Sequence, residues 1–287
     1  MKITRRAALA SMAACAQQVP DREFDPPLVD PKFALGQGPS IGIDDRHYNF
    51  HTVDGGYSTF ARFLRKDGYV VRAAGTQQNV LVIANALSKE NSRRWEAPYS
   101  PAFSDSEARE IAAWVKQGGS LLLVVDHQPF PACNNSLAAK FNVQFHDGYA
   151  SDPERGRSPS VFSMSNGGLR PHTVTAGIDS VATFTGSAFQ APDAVALLVF
   201  GGNAVSSTFD RPGGARGKAV SITPVAGWLR GAALEFGRGR VVISGEAAMF
   251  SAQRAGAERT PMGMNHPAAA NNARYLRQVM GWLARVS

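Results

Sequence analysis

Apolar residues along the chain gather into short unbroken runs, and each run ends on a polar loop. The clearest is Leu121-Leu122-Leu123-Val124-Val125, entered from Gly118-Gly119-Ser120 and left through Asp126-His127-Gln128-Pro129. An aliphatic run bounded by glycine and proline reads as a strand buried on both faces of a parallel sheet. Residues 80–84 form a second such run ending at Asn85, and residues 40–44 and 69–72 read as shorter strands. Helical spacing of Tyr57, Phe60, Ala61 and Leu64 predicts a helix over 57–66, stopped by Gly68. Ser104-Asp105-Ser106-Glu107 has the form of a capping box, and Ile111, Trp114 and Val115 supply the inward stripe of the helix it starts. A further helix is predicted over 136–141. Another closes the chain over 271–285, with Ala273, Leu276, Val279, Met280 and Leu283 on one side.

Between these elements the pattern changes twice. Residues 87–101 are polar, with Trp95, Pro98 and Pro101 among them, a connector of the length often used as a lid. From about 143 to 224 the segments are short and alternating, which reads as a strand-rich elaboration, before a hairpin over 232–246 feeds a last buried strand. The fold expected is a single α/β domain over 40–287. Its architecture is a three-layer sandwich with a mostly parallel, flavodoxin-like central sheet. Residues 16–39, rich in proline and polar side chains, read as an extended tether.

Charge changes this picture little. The net charge of +7 includes Lys2, Arg5 and Arg6 at the start of the chain, and no basic run is interleaved with aromatics, so nucleic acid is not an expected partner. No window approaches ~18 consecutive apolar residues, so no transmembrane helix is expected. Residues 1–15 have the charged-then-apolar order of an export signal. Thr4-Arg5-Arg6-x-x-Leu9 resembles a twin-arginine signal, and Met12-Ala13-Ala14-Cys15 a lipoprotein processing site with Cys15 acylated. The expectation is an exported protein, periplasmic or held to a membrane only through that N-terminal lipid; the other reading is a basic N-terminus without a role.

The polar strand exits are the candidate site. Asp45, His47 and Asn49 follow the first strand, Asn85 the third, Asp126 and His127 the fourth, and Glu246 the last. A parallel sheet would bring all of them to its carboxyl edge, where open α/β folds bind ligands. The plainer account is that strands end in polar residues because they reach water, and that Asp45 bonds its own loop. Asn265-His266, before the closing helix, is a further candidate pair. His51 and His146 read as ordinary surface or loop residues, His172 as structural, and Cys133 as a small packing residue. Carboxylates beside imidazoles can act as acid and base, or can hold zinc or manganese through His47, Asp126, His127 and Glu246. Their spacing matches no compact metal motif.

The segment Gly-Gly-Ser-Leu-Leu-Leu-Val-Val-Asp-His, preceded by a helix ending Trp-Val-x-x-Gly-Gly, carries a family resemblance. So does Gly-Arg-Gly-Arg-Val-Val-Ile-Ser-Gly-Glu, followed by a helix bearing Asn-Asn-x-x-Tyr-Leu. Both resemble the class I glutamine amidotransferase-like superfamily, in particular an uncharacterised bacterial branch similar to ThuA-like proteins and to gliding and intraflagellar-transport domains. The resemblance implies a sharp elbow after the strand at 121–125, bearing a nucleophilic cysteine. Asp126 stands there instead, and an ionised carboxylate is a poor attacker of amides, so glutamine hydrolysis by a thiol is not expected. The functions left open are three. Asp126, His127 and Glu246, with His47, Asn49, Asn85, Asn265 and His266, bind a small polar ligand, a carbohydrate among those the resemblance allows; or they hydrolyse it, with or without a metal; or the domain is a non-catalytic interaction module of the cell envelope.

Overall fold

The computed structural model describes residues 18–156, 158–212 and 217–286. Its central sheet has nine strands: β1 (Ser40–Ile43), β2 (Val70–Ala73), β3 (Val80–Ala84), β4 (Ser120–Val124), β5 (Gln144–Phe145), β6 (Phe189–Gln190), β7 (Val195–Val199), β8 (Leu229–Phe236) and β9 (Gly239–Ser244). They lie in the order β2-β1-β3-β4-β9-β8-β6-β5, with β7 also paired to β8. Pairing is parallel from β2 through β9 and antiparallel beyond it.

The expected mostly parallel, flavodoxin-like sandwich is therefore corrected to a mixed, strand-rich architecture. A two-residue turn joins β8 to β9, and so tight a link can only join antiparallel neighbours. Three smaller antiparallel sheets add to this, the largest joining Tyr149–Ser151, Val205–Phe209 and Ala219–Pro224. Among the described residues, 142–228 contain no α-helix that could make a parallel crossover.

Alternation along β4 distributes the core. Leu122 and Val124 pack with α1 (Ser58–Lys66), which buries Phe60, Phe63 and Leu64, while Leu121, Leu123 and Val125 pack on the other face. The helices after α1 are α2 (Lys89–Arg93), α3 (Asp105–Lys116), α4 (Phe130–Ala138) and α5 (Asn272–Leu283). Tyr275, Leu276, Val279 and Met280 of α5 join the α1 side, and α3 and α4 cover the opposite one. Gly118, at φ 122°, ends α3 in a conformation that an L side chain rarely adopts.

At the start of α3 the capping box is complete. The Glu107 amide donates to Ser104 Oγ at 3.2 Å, and the Ser104 amide donates to Glu107 Oε2 at 2.8 Å. Ser104→Ala is expected to lower unfolding stability by about 1 kcal/mol, read from a shifted midpoint at unchanged slope in urea.

Three local expectations are revised. The helix expected over 136–141 is α4 followed by a 3-10 turn at Ala139–Phe141, because Pro131, read as part of a loop, sits in the first turn where its missing amide costs nothing. The 87–101 connector contains α2 and is organised by Asn91, which accepts from the Ser100 amide at 2.9 Å and donates to the Glu96 and Pro98 carbonyls. The segment expected as a tether is docked: Val19–Pro20 pairs with Ala252–Ala255, and Asp21 accepts from Arg254 Nε at 2.8 Å. Phe24, Leu28 and Phe33 pack on the α1 side of the core.

Candidate functional site

Two neighbouring strand exits are stapled together by one side chain. Asn85 follows β3 in the left-handed region, φ 53°, which asparagine tolerates better than most residues. Its Oδ1 accepts from the Asp126 amide at 2.9 Å, and its Nδ2 lies 3.4 Å from His51 Nδ1. No left-handed residue occurs at Asp126, so the sharp turn belongs to Asn85 and not to the position where a nucleophile elbow was expected.

Asp126 is 5% exposed and heavily engaged. Its Oδ1 accepts from the His127 amide at 2.8 Å and from Thr185 Oγ1 at 3.0 Å, and its Oδ2 from the Ala247 amide at 3.2 Å. His127 is half-buried, with Nδ1 2.8 Å from the Gln128 carbonyl. A carbonyl oxygen can only accept, so Nδ1 carries the proton and Nε2 keeps its lone pair. The imidazole stacks on Tyr149, with centroids 4.2 Å apart and planes at 14°.

These groups form one end of a cavity of about 830 Å³. Aromatic walls come from Phe50, Trp95, Phe130, Tyr149 and Phe209, and Arg93 and Arg211 also line it. Trp95 is delivered by the 87–101 connector and Phe209 by the strand Val205–Phe209, so two excursions from the central sheet build the walls.

His51, read from sequence as an ordinary loop residue, also lines this cavity and is 3% exposed. It lies between Phe50 and Tyr57, at 5.1 and 4.6 Å between centroids. Burial pushes its pKa down to about 4, against the pull of the Asp126 carboxylate and with that of His127, so the ring is neutral near pH 7. The one local signal was Gly56, whose missing side chain makes room for the imidazole.

The other predicted residues lie elsewhere. Glu246 is wholly buried and does not line the cavity; its oxygens accept from the Ala248 and Met249 amides at 3.0 and 2.7 Å. Burial and the nearby Asp126 carboxylate raise its pKa, with Arg230 opposing. Its carboxylate caps the turn Ala248–Phe250, apart from the cavity lining. His47 belongs to a separate cavity of about 360 Å³. There its Nδ1 is 2.8 Å from Asp44 and its Nε2 3.7 Å from Glu107; these carboxylates raise its pKa although its burial lowers it.

Asn49 builds its own loop, accepting from the His47 amide at 3.1 Å and donating to the Ala84 carbonyl at 3.3 Å. Asn265 donates to Asp21 and to the Gln253 carbonyl, and His266 caps the turn Pro267–Ala269. The candidate metal ligands are thus divided between two cavities and the interior. No group of three or more His, Cys, Asp or Glu arranged for a metal occurs among the described residues, and the four donors do not fit one ion. Cys133 is buried on α4, where burial pushes its thiol up to about 11, and Cys15 lies outside the described residues.

Fold and site together define an α/β protein whose mixed sheet carries an aromatic-walled cavity at the carboxyl ends of its parallel strands. The chain belongs to the family described as a domain of unknown function, DUF4350, which matches residues 49–260. No curated protein matches it by sequence. Among solved structures, the mmIFT52 N-terminal domain is similar, with a TM-score of 0.56 at 13% identity over 85% of this chain and 97% of that one. The cytoplasmic proteins STM3548 and STM1381 from Salmonella typhimurium each give a TM-score of 0.47, at 14% and 12% identity. They cover 85% and 86% of this chain and 98% and 99% of their own. At these identities the likeness is one of fold alone. The expected membership of the glutamine amidotransferase-like superfamily is overturned by the family match, and no such family is shown.

Proposed function

We propose that this chain binds a small polar ring compound of the carbohydrate class in the aromatic-walled cavity and does not hydrolyse it. The observation that carries the reading is the state of Asp126: the only carboxylate among the described residues lining the cavity already accepts from three protein donors. Glycoside hydrolysis by paired carboxylates needs a second carboxyl about 5 to 9.5 Å away across the ligand. Glu246 cannot serve, being buried behind the cavity, and the Cys133 thiol faces Asn91. Binding asks for less. A volume of this size suits a ligand of one or two rings, whose C–H faces can lie on Trp95, Phe50 and Tyr149. Ligand hydroxyls can donate to His127 Nε2, which has no partner among the described residues. The twin-arginine and lipoprotein-like pattern ending at Cys15 supports a place at the cell envelope.

The test is calorimetric titration of the full chain with a panel of monosaccharides and disaccharides, repeated on Trp95→Ala and His127→Ala. Each substitution is expected to weaken binding at least tenfold, with the fold intact by circular dichroism. Affinities unchanged by both substitutions, or no binding to the wild type, would favour the interaction-module reading instead.

A further inference from the structure

We infer that the ligand of this cavity is an anion, a sugar carrying a carboxylate or a phosphate, gripped by Arg93 and Arg211. The inference rests on the carbohydrate reading of the cavity and goes beyond it by assigning a charge and two further binding residues.

Several arginines among the described residues are already paired. Arg94 pairs with Glu96 at 2.9 Å, Arg254 with Asp21 at 2.8 Å, Arg155 with Asp152 at 2.7 Å, and Arg277 with Asp67 at 2.9 Å. Arg93 and Arg211 both line the cavity, and neither side chain has a carboxylate, carbonyl or ring partner among the described residues. Asp126 makes no ion pair with either of them, and its oxygens accept from other donors.

Each arginine arrives beside an aromatic wall, Arg93 at the end of α2 and Arg211 just past the strand Val205–Phe209. Arg93 precedes Trp95 by two residues, and Arg211 follows Phe209 by two. Both arms are held by buried amides. Asn91 ties the first through the Glu96, Pro98 and Ser100 backbone. Gln128 ties the second, accepting from the Phe209 amide at 2.9 Å and donating to its carbonyl at 3.0 Å. Two guanidinium forks on pre-positioned arms, each beside a ring-stacking surface, match a ring that bears a planar carboxylate or a tetrahedral phosphate. In open water such pairs contribute little, but a ligand that displaces water from the cavity makes the same contacts stronger.

The full chain is titrated calorimetrically with matched compounds: glucose against glucuronate, galactose against galacturonate, and glucose 6-phosphate. The acidic sugars are expected to bind at least tenfold more tightly than their neutral counterparts. Arg93→Gln combined with Arg211→Gln should abolish that advantage, with the unfolding midpoint unchanged. The uronate and phosphate arms show which anion is preferred. Equal binding of neutral and acidic sugars, or a preference retained in the double variant, overturns the anion inference while the carbohydrate reading stands. Absence of binding by every compound removes both.

Discussion

Arg230→Met is expected to destabilise the fold by about 3 to 5 kcal/mol, the largest effect of any single substitution considered for this chain. Arg230 is 1% exposed, lies on β8 and reaches across the junction between the central sheet and the strand-rich segment. Its Nη1 donates to the Ser187 and Gly245 carbonyls at 3.1 and 3.2 Å, and its Nη2 to the Ala150 carbonyl at 3.0 Å. The guanidinium also sits over the Phe200 ring at 4.8 Å. Burial lowers its pKa to about 10, and the carboxylates of Glu246, Asp126 and Asp152 pull the other way. Methionine fills much of the volume but leaves the carbonyls unpaired and the carboxylates without their buried counter-charge. Equilibrium unfolding in urea measures the loss. A variant within 1 kcal/mol of the wild type would mean that the buried arginine is replaceable by packing alone.

A second large effect depends on pH. The His51 pKa is depressed from 6.5 to about 4 in the folded chain. Between those values the unfolded chain takes up a proton that the folded chain refuses, so the His51 contribution is present above pH 6.5 and is lost as pH falls toward 4. Two to three pKa units amount to about 3 kcal/mol. Glu246, whose pKa is raised, has the opposite sign, its burial costing more as pH rises, so the wild-type profile alone mixes the two. The comparison is therefore between wild type and His51→Phe, which keeps an aromatic ring between Phe50 and Tyr57 but does not titrate. The variant is expected to be the less stable at pH 7, and the gap to narrow by up to about 3 kcal/mol on acidification to pH 4. A gap that does not change with pH would show that His51 titrates alike in the folded and unfolded chain.

Part of this was legible along the chain. The aliphatic runs at 80–84 and 121–125 form β3 and, one residue out of step, β4, and the serine and glutamate at 104 and 107 start α3, because buried strands and capped helices are specified by neighbouring residues. Asp126, His127 and Asn85 were found by the same logic, since a parallel sheet must deliver its exits to one edge. The mixed sheet was not found. The β8–β9 hairpin was visible, but the pairing of β6 and β7 with β8 joins residues 30 to 40 positions apart, and no local pattern encodes it.

The exit residues show the division most plainly. Asp126 and Glu246 are both carboxylates following aliphatic strands, and local sequence cannot tell them apart. Glu246 turns inward because free amides at Ala248 and Met249 meet it there, while Asp126 meets Thr185 and the Ala247 amide beside the cavity. His51 carried no signal beyond Gly56, and became part of the cavity because Gly56 and Tyr57 leave a place for its ring. The sequence by itself determined the buried strands, the capped helix and the edge to which their polar ends are delivered, since these follow from short-range periodicity and backbone chemistry. Only the tertiary structure decided which of those polar groups share a cavity, because that depends on contacts between segments far apart in the chain.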